Sequence, residues 1–101
     1  MKTIKTEENG VLTVAVEGRV DTGTAPQLDL DLRAAMEETQ NLVLDLQDMT
    51  YVSSAGLRVL LSAQRTMNQK GSMTIRNASP AVMEVFRVTG FEKILNIAQP
   101  V

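Results

Sequence analysis

Two adjacent hydroxyls, Ser53 and Ser54, stand in the run MTYVSSAGLRVLL (Met49 to Leu61), between a strand-like apolar stretch and a helix-like one. The chain has no histidine and no cysteine. A serine here therefore has no histidine base, and thiolate or imidazole metal centres and disulfides are excluded. Two roles remain for such a hydroxyl: to receive a group through another molecule's chemistry, or to cap the helix. A helix N-terminus offers unpaired N–H donors and about half a positive charge, so it tolerates a phosphate well. Gly56 in the first turn has no side chain and is expected to leave room there for a phosphate or a partner's backbone. The structural alternative is equally concrete. Serine is among the best N-caps, worth about 1 kcal/mol over alanine, and Ala55-Gly56 would then serve only close helix–sheet packing. The residues alone leave both readings open.

Other polar groupings carry less. Asp29 and Asp31 are two apart on a predicted helix, about 200° around its axis, and suit a solvated face rather than one shared metal ion. Asp45 and Asp48 close an apolar run, as the phosphate-accepting aspartate of a receiver domain does. A receiver does not open with a hairpin, however, so Asp48 is expected to brace the loop before Ser54 by accepting from backbone N–H groups. Arg19 and Asp21 form a local pair whose surface attraction is worth at most ~1 kcal/mol, so stability alone does not account for them. Phe86, Phe91, Met49 and Met83 read as core. No catalytic residue, metal ligand or cofactor is assigned.

These groups must be positioned by the elements around them. Asn9-Gly10 suits a type I′ hairpin turn between an alternating opening segment and the β-rich run Val11 to Val16. Thr24 is the expected N-cap of a helix with Pro26 in its first turn and Leu28, Leu32, Ala35 and Met36 on one stripe. NLVLDLQDM reads as one buried central strand. The helix after Ser53 ends on Lys70 and Gly71. SMTIRNA is a further strand, Ser79-Pro80 starts a third helix that runs to Gly90, and KILNIA is a terminal strand. The predicted order is ββαβαβαβ: a single α/β domain over residues 1–101. Its mixed sheet of four to five strands opens with an antiparallel hairpin and carries helices mainly on one face.

The 101 residues suffice for one core. A net charge of −2 with only three aromatic residues leaves neither a basic footprint nor a stacking platform for nucleic acid. The polar start MKTIKTEENG and the lack of any long apolar run predict no membrane span or secretory signal, and a cytoplasmic protein.

GRVDTGTAPQL, LVLDLQDMTYVSSAGLRVLL and SPAVMEVFRVTGFEKIL together resemble the anti-sigma factor antagonists of the STAS domain family, in order and spacing, over about residues 2 to 98. The resemblance implies a binding switch rather than an enzyme. In that family the serine two residues before the helix-start glycine, here Ser54, is phosphorylated by an anti-sigma factor that is itself a serine kinase. It implies that the unphosphorylated form binds this kinase and frees a sigma factor, and that a phosphatase restores it. Ser53 stands where many members carry aspartate and is the competing acceptor, while Ala55 replaces a frequent Ser or Thr. The aspartate after the early glycine step is Asp21. The implied partner surface comprises Asp21, Thr22, Thr24, Ser53, Ser54, Ala55, Gly56 and Arg58. A similar domain without a phosphate cycle serves as an accessory subunit of a lipid-transport ATPase, and this is the alternative reading. A ligand sensor acting at the same turn is a third.

Overall fold

A computed structural model describes residues 1–98. The hairpin forms as its turn residues dictate. Asn9 and Gly10 both take positive φ, 53° and 80°, and join β1 (Lys2–Glu8) to β2 (Val11–Val20) in antiparallel register. β2 is the hub of the sheet. It runs parallel to β3 (Asn41–Asp45) through Leu12–Ala15 and parallel to β4 (Met49–Val52) through Gly18–Val20. β5 (Ser72–Arg76) extends the sheet beyond β3, again in parallel.

Burial alternates along the strands. Leu12, Val14 and Val16 of β2, Leu42 and Leu44 of β3, and Met73 and Ile75 of β5 are buried, while Val11, Thr13, Val43 and Thr74 between them are partly exposed. One face is therefore packed and the other open, as the expected one-sided helical layer requires. The packed face receives α1 (Ala25–Glu38) through Leu28, Leu32, Ala35 and Met36, and α2 (Ser54–Lys70) through Leu57, Leu60, Ala63 and Met67. α3 (Pro80–Thr89) contributes Val82 and the fully buried Phe86. Met49 lies in the core, with Phe91 and Met83 packed against it.

Two elements depart from the pattern reading. The apolar run NLVLDLQDM is not one strand: β3 stops at Asp45 and β4 begins at Met49. The Asp45 carboxylate accepts from the Gln47 amide at 3.0 Å, and Met49 N–H turns back to the Leu46 carbonyl at 3.1 Å. A short acidic side chain thus competes with the ladder and bends the chain, although Leu46 between the strands is completely buried. The terminal strand KILNIA is reduced to one parallel bridge between Ile75 and Ile97. Gly90, at φ 80°, ends α3 in the left-handed region, and the next residues are taken up by a 3-10 turn, Phe91–Lys93. Leu95 then anchors the segment in the core, and only Asn96 and Ala98 bond to Ile75.

Gln64 is the one buried polar side chain among the described residues. Its amide donates to Met73 O at 3.3 Å and to Asn68 Oδ1 at 3.0 Å, and its Oε1 accepts from Asn96 N–H at 3.0 Å. It thereby ties α2, β5 and the C-terminal segment together. The helical pattern alone offers no signal for this, because exposed glutamines fill α2-like faces just as well. No helix among the described residues is long and apolar enough to cross a membrane.

Candidate functional site

Val20 of β2 and Val52 of β4 are register partners. The residues that follow them, Asp21 and Ser53, therefore leave the sheet side by side, and Ser53 N–H donates to Val20 O at 2.8 Å. This pairing brings the start of α1 and the start of α2 to the same end of the sheet. The register slips between Gly18 and Arg19, so that Gly18 pairs with Met49 and Arg19 with Tyr51, leaving Thr50 over. Gly18 holds φ at 88°, a conformation that side chains disfavour, and its N–H is taken by the Asp48 carbonyl at 2.8 Å.

The two serines differ in what their hydroxyls bond. Ser53 is the N-cap of α2: its backbone is extended and its hydroxyl accepts from Gly56 N–H at 3.3 Å. Ser54 is the first helical residue, exposed, and its hydroxyl has no hydrogen-bond partner among the described residues. One hydroxyl is spent on the helix while its neighbour faces solvent at the positive end of the dipole.

Gly56 answers to the structural alternative. It is buried, and a Cβ built on it would lie 2.7 Å from Val20 Cγ1 and 2.8 Å from Val52 Cγ2. Its missing side chain makes room for the two valines of the sheet, so the expected space for a phosphate or a partner's backbone is not there. Ala55 is partly buried and packs against the core.

The loop before α1 is organised by Asp21. Its Oδ1 accepts from Gly23 N–H at 3.0 Å and Thr24 N–H at 3.1 Å, and its carbonyl accepts from Ala25 N–H at 2.8 Å. The Thr24 amide bond, first among several causes, holds the Asp21 carboxyl below the usual carboxylate range. Thr24 occupies the predicted N-cap position but does not cap with its side chain. Its hydroxyl turns back instead, accepting from Asp21 N–H at 2.9 Å and donating to Arg19 O at 3.1 Å. Of the two amides that a threonine cap serves, the one at Pro26 is missing, since proline has no N–H. Thr22 is exposed at the tip of this loop, and Arg58 is exposed one turn into α2.

Asp48 was expected to brace the loop before Ser54 with its side chain. That bond belongs to Asp45, whose carboxylate also accepts from Asn77 Nδ2 at 3.1 Å, and Asp48 acts only through its carbonyl. Asp29 and Asp31 do not converge either. Asp29 pairs with Arg33 at 2.8 Å, whereas Asp31 accepts from Thr3 and from Gln27.

Tyr51 joins the site without having been singled out by its sequence. It is 41% exposed, and the Arg19 guanidinium lies over its ring, 4.3 Å from the centroid. Arg19 also approaches Asp21 at 3.9 Å. An aromatic face, a cation, a carboxylate and two hydroxyls thus share one end of the sheet. The signal that could have found Tyr51 is its position two residues before Ser53, as the chain's single tyrosine.

The chain is similar to known proteins over nearly its whole length. The chain is 35% identical over 100 residues to BtrV of Bordetella bronchiseptica, covering 97% of this chain and 86% of that one. It is 30% identical over 96 residues to the anti-sigma-B factor antagonist of Bacillus subtilis, covering 94% and 87% respectively. The fold matches the crystal structure of an anti-sigma factor antagonist from Mycobacterium paratuberculosis with a TM-score of 0.88 at 25% identity, over 99% of this chain and 86% of that one. The STAS domain profile spans residues 2–101. With its opening hairpin, its one-sided helices and its serine-started α2 all inside that span, the chain belongs to the STAS domain family.

Proposed function

We propose that this protein is an anti-sigma factor antagonist that works as a phosphorylation-controlled binding switch, with Ser54 as the phosphate acceptor. The observation that carries the reading is the division of labour between the two serines: Ser53 is committed to Gly56 N–H, and Ser54 is exposed with its hydroxyl unbonded. The similarity to the antagonist of Bacillus subtilis supports the class of partner. In the unphosphorylated state, the surface around Asp21, Thr22, Thr24, Tyr51, Ser53, Ser54 and Arg58 docks on an anti-sigma factor, and the sigma factor is released.

The anti-sigma factor acts as a serine kinase. The Ser54 oxygen attacks the γ-phosphorus of ATP, the bond to ADP breaks, and the hydroxyl proton leaves to a base of the kinase. All nucleotide and metal chemistry belongs to that partner. The added charge is about −1.5 to −2 at neutral pH. At the first residue of α2 the dipole tolerates it, so the fold is retained. At a closed interface the same charge costs several kcal/mol of desolvation unless it is paired. A loss of ~3 kcal/mol already weakens binding more than a hundredfold. A phosphatase resets the switch.

The experiment is phosphate transfer from ATP by the partner kinase, read by intact mass. Wild type and Ser53→Ala are expected to gain one phosphate, and Ser54→Ala none, while Ser54→Ala binds constitutively and Ser54→Asp binds poorly. Phosphate on Ser54→Ala would move the acceptor to Ser53. No transfer to any form would favour a structural accessory subunit.

A further inference from the structure

We propose that Arg58 is the internal counter-charge for a phosphate on Ser54. Phosphorylation would then act twice, adding negative charge and withdrawing a cation from the partner surface. The proposal rests on the reading of Ser54 as the acceptor and names a regulatory contact within that site.

Arg58 lies four residues after Ser54 on α2, and both are exposed. Residues at this spacing are helix-surface neighbours, with Cβ atoms about 5–6 Å apart. Helical side chains lean toward the N-terminus, so an arginine at position 58 reaches back over the turn that begins at Ser54. Acid first and base second is also the favourable order along a helix. The fold already contains one such pair. On α1, Asp29 and Arg33 stand in the same order at the same spacing and bond at 2.8 Å. Among the described residues, the other ion pairs are Lys5–Glu38, Arg19–Asp21 and Arg87–Glu84, so Arg58 has no carboxylate partner. Arg19, the other cation of this surface, is held over Tyr51 and beside Asp21.

The local donors set the same preference. Ser53 Oγ already takes Gly56 N–H, which leaves a phosphate at position 54 fewer amides to use. A guanidinium fork, which matches phosphate oxygens two at a time, supplies what the helix start lacks. In the unmodified protein Arg58 faces solvent and is free to meet an acidic group of the partner. In the phosphorylated protein it is turned back onto its own helix.

The test uses full-length protein carrying phosphoserine placed at position 54 during translation, so it does not depend on finding a kinase. The second ionisation of the phosphate is followed by phosphorus NMR at low salt in wild type, Arg58→Gln and Arg65→Gln. Pairing with Arg58 lowers that pKa, so Arg58→Gln is expected to titrate about 0.15–0.4 pH units higher than wild type. Arg65→Gln, nearly two further turns along, is expected to match wild type. A second measurement needs no variant: the Arg58 Nε resonance moves between the Ser54 and phosphoserine forms, while that of Arg65 stays. Coincident titrations of Arg58→Gln and wild type, or an unmoved Arg58 Nε, overturn the proposal. Failure of any kinase to modify Ser54 would instead sink the functional reading and leave this contact standing.

Discussion

A methyl group placed on Gly56 would lie 2.7 Å from Cγ1 of Val20, closer than packed carbons approach one another. Val20 ends β2 and Gly56 lies in the first turn of α2, so this contact sets how near the helix start sits to the sheet. Ser54 is displayed from that same turn.

Gly56→Ala is therefore expected to destabilise, although alanine is the better helix former by about 1 kcal/mol. Two core valines would have to yield, and overpacking of this kind costs typically 1–3 kcal/mol. For a domain of this size a net loss of ~1 kcal/mol lowers Tm by roughly 4–8 °C. Thermal unfolding checks the sign: a Tm at or above wild type would mean the valines relax freely.

The neighbouring serines are expected to separate by stability. Ser53→Ala removes the bond to Gly56 N–H and is expected to cost about 1 kcal/mol. Ser54→Ala removes an exposed hydroxyl without a partner and is expected to stay within about 0.5 kcal/mol of wild type. Urea unfolding of the two variants side by side decides it.

Gln64→Leu keeps the volume but strips the Asn96 N–H of its acceptor and the Met73 carbonyl of one donor. Asn96 is exposed and the Met73 carbonyl keeps the Asn96 side-chain donor, so the expected loss is that of an ordinary hydrogen bond, about 0.5–1.5 kcal/mol. Amide exchange at Asn96 is expected to accelerate in the variant more than exchange at Leu42 or Leu44 in the central strand.

The Asp21 loop has a pH dependence of defined sign. The folded-state pKa is lowered, chiefly by the Thr24 amide, so the ordered loop is favoured above the ordinary aspartate value of about 3.9. That advantage is lost as pH falls through the lower, folded value. NMR titration is expected to move the Gly23 and Thr24 amides together below pH 4. In Asp21→Asn that movement disappears.

Much of the fold was legible because local chemistry and burial agreed. Asn9-Gly10 marks its turn, the stripe of Leu28, Leu32, Ala35 and Met36 marks α1, and Ser79-Pro80 marks the start of α3. Legibility failed where local competitors intervened. The Asp45 carboxylate broke an apolar run that periodicity read as continuous. The left-handed Gly90 and the turn after it consumed residues whose composition suits a strand. At the candidate site, the motif was visible but the function of each member was not. Thr24 looks like a cap, yet its hydroxyl turns back to the Asp21 amide and the Arg19 carbonyl. Gly56 looks like open space, yet it is filled by Val20 and Val52.

Most of the order of elements, the absence of any histidine or thiol chemistry, and a pair of serines at a helix start follow from the amino-acid sequence itself, since composition, turn preference and period are local properties. Which hydroxyl is bound and which is free, and that Tyr51, Arg19 and Asp21 share their surface, were decided only by the folded chain. The register of β2 against β4 brings residues about thirty apart in the chain side by side. No local preference encodes a pairing between strands that distant, because it is the burial of both against a common core that selects it.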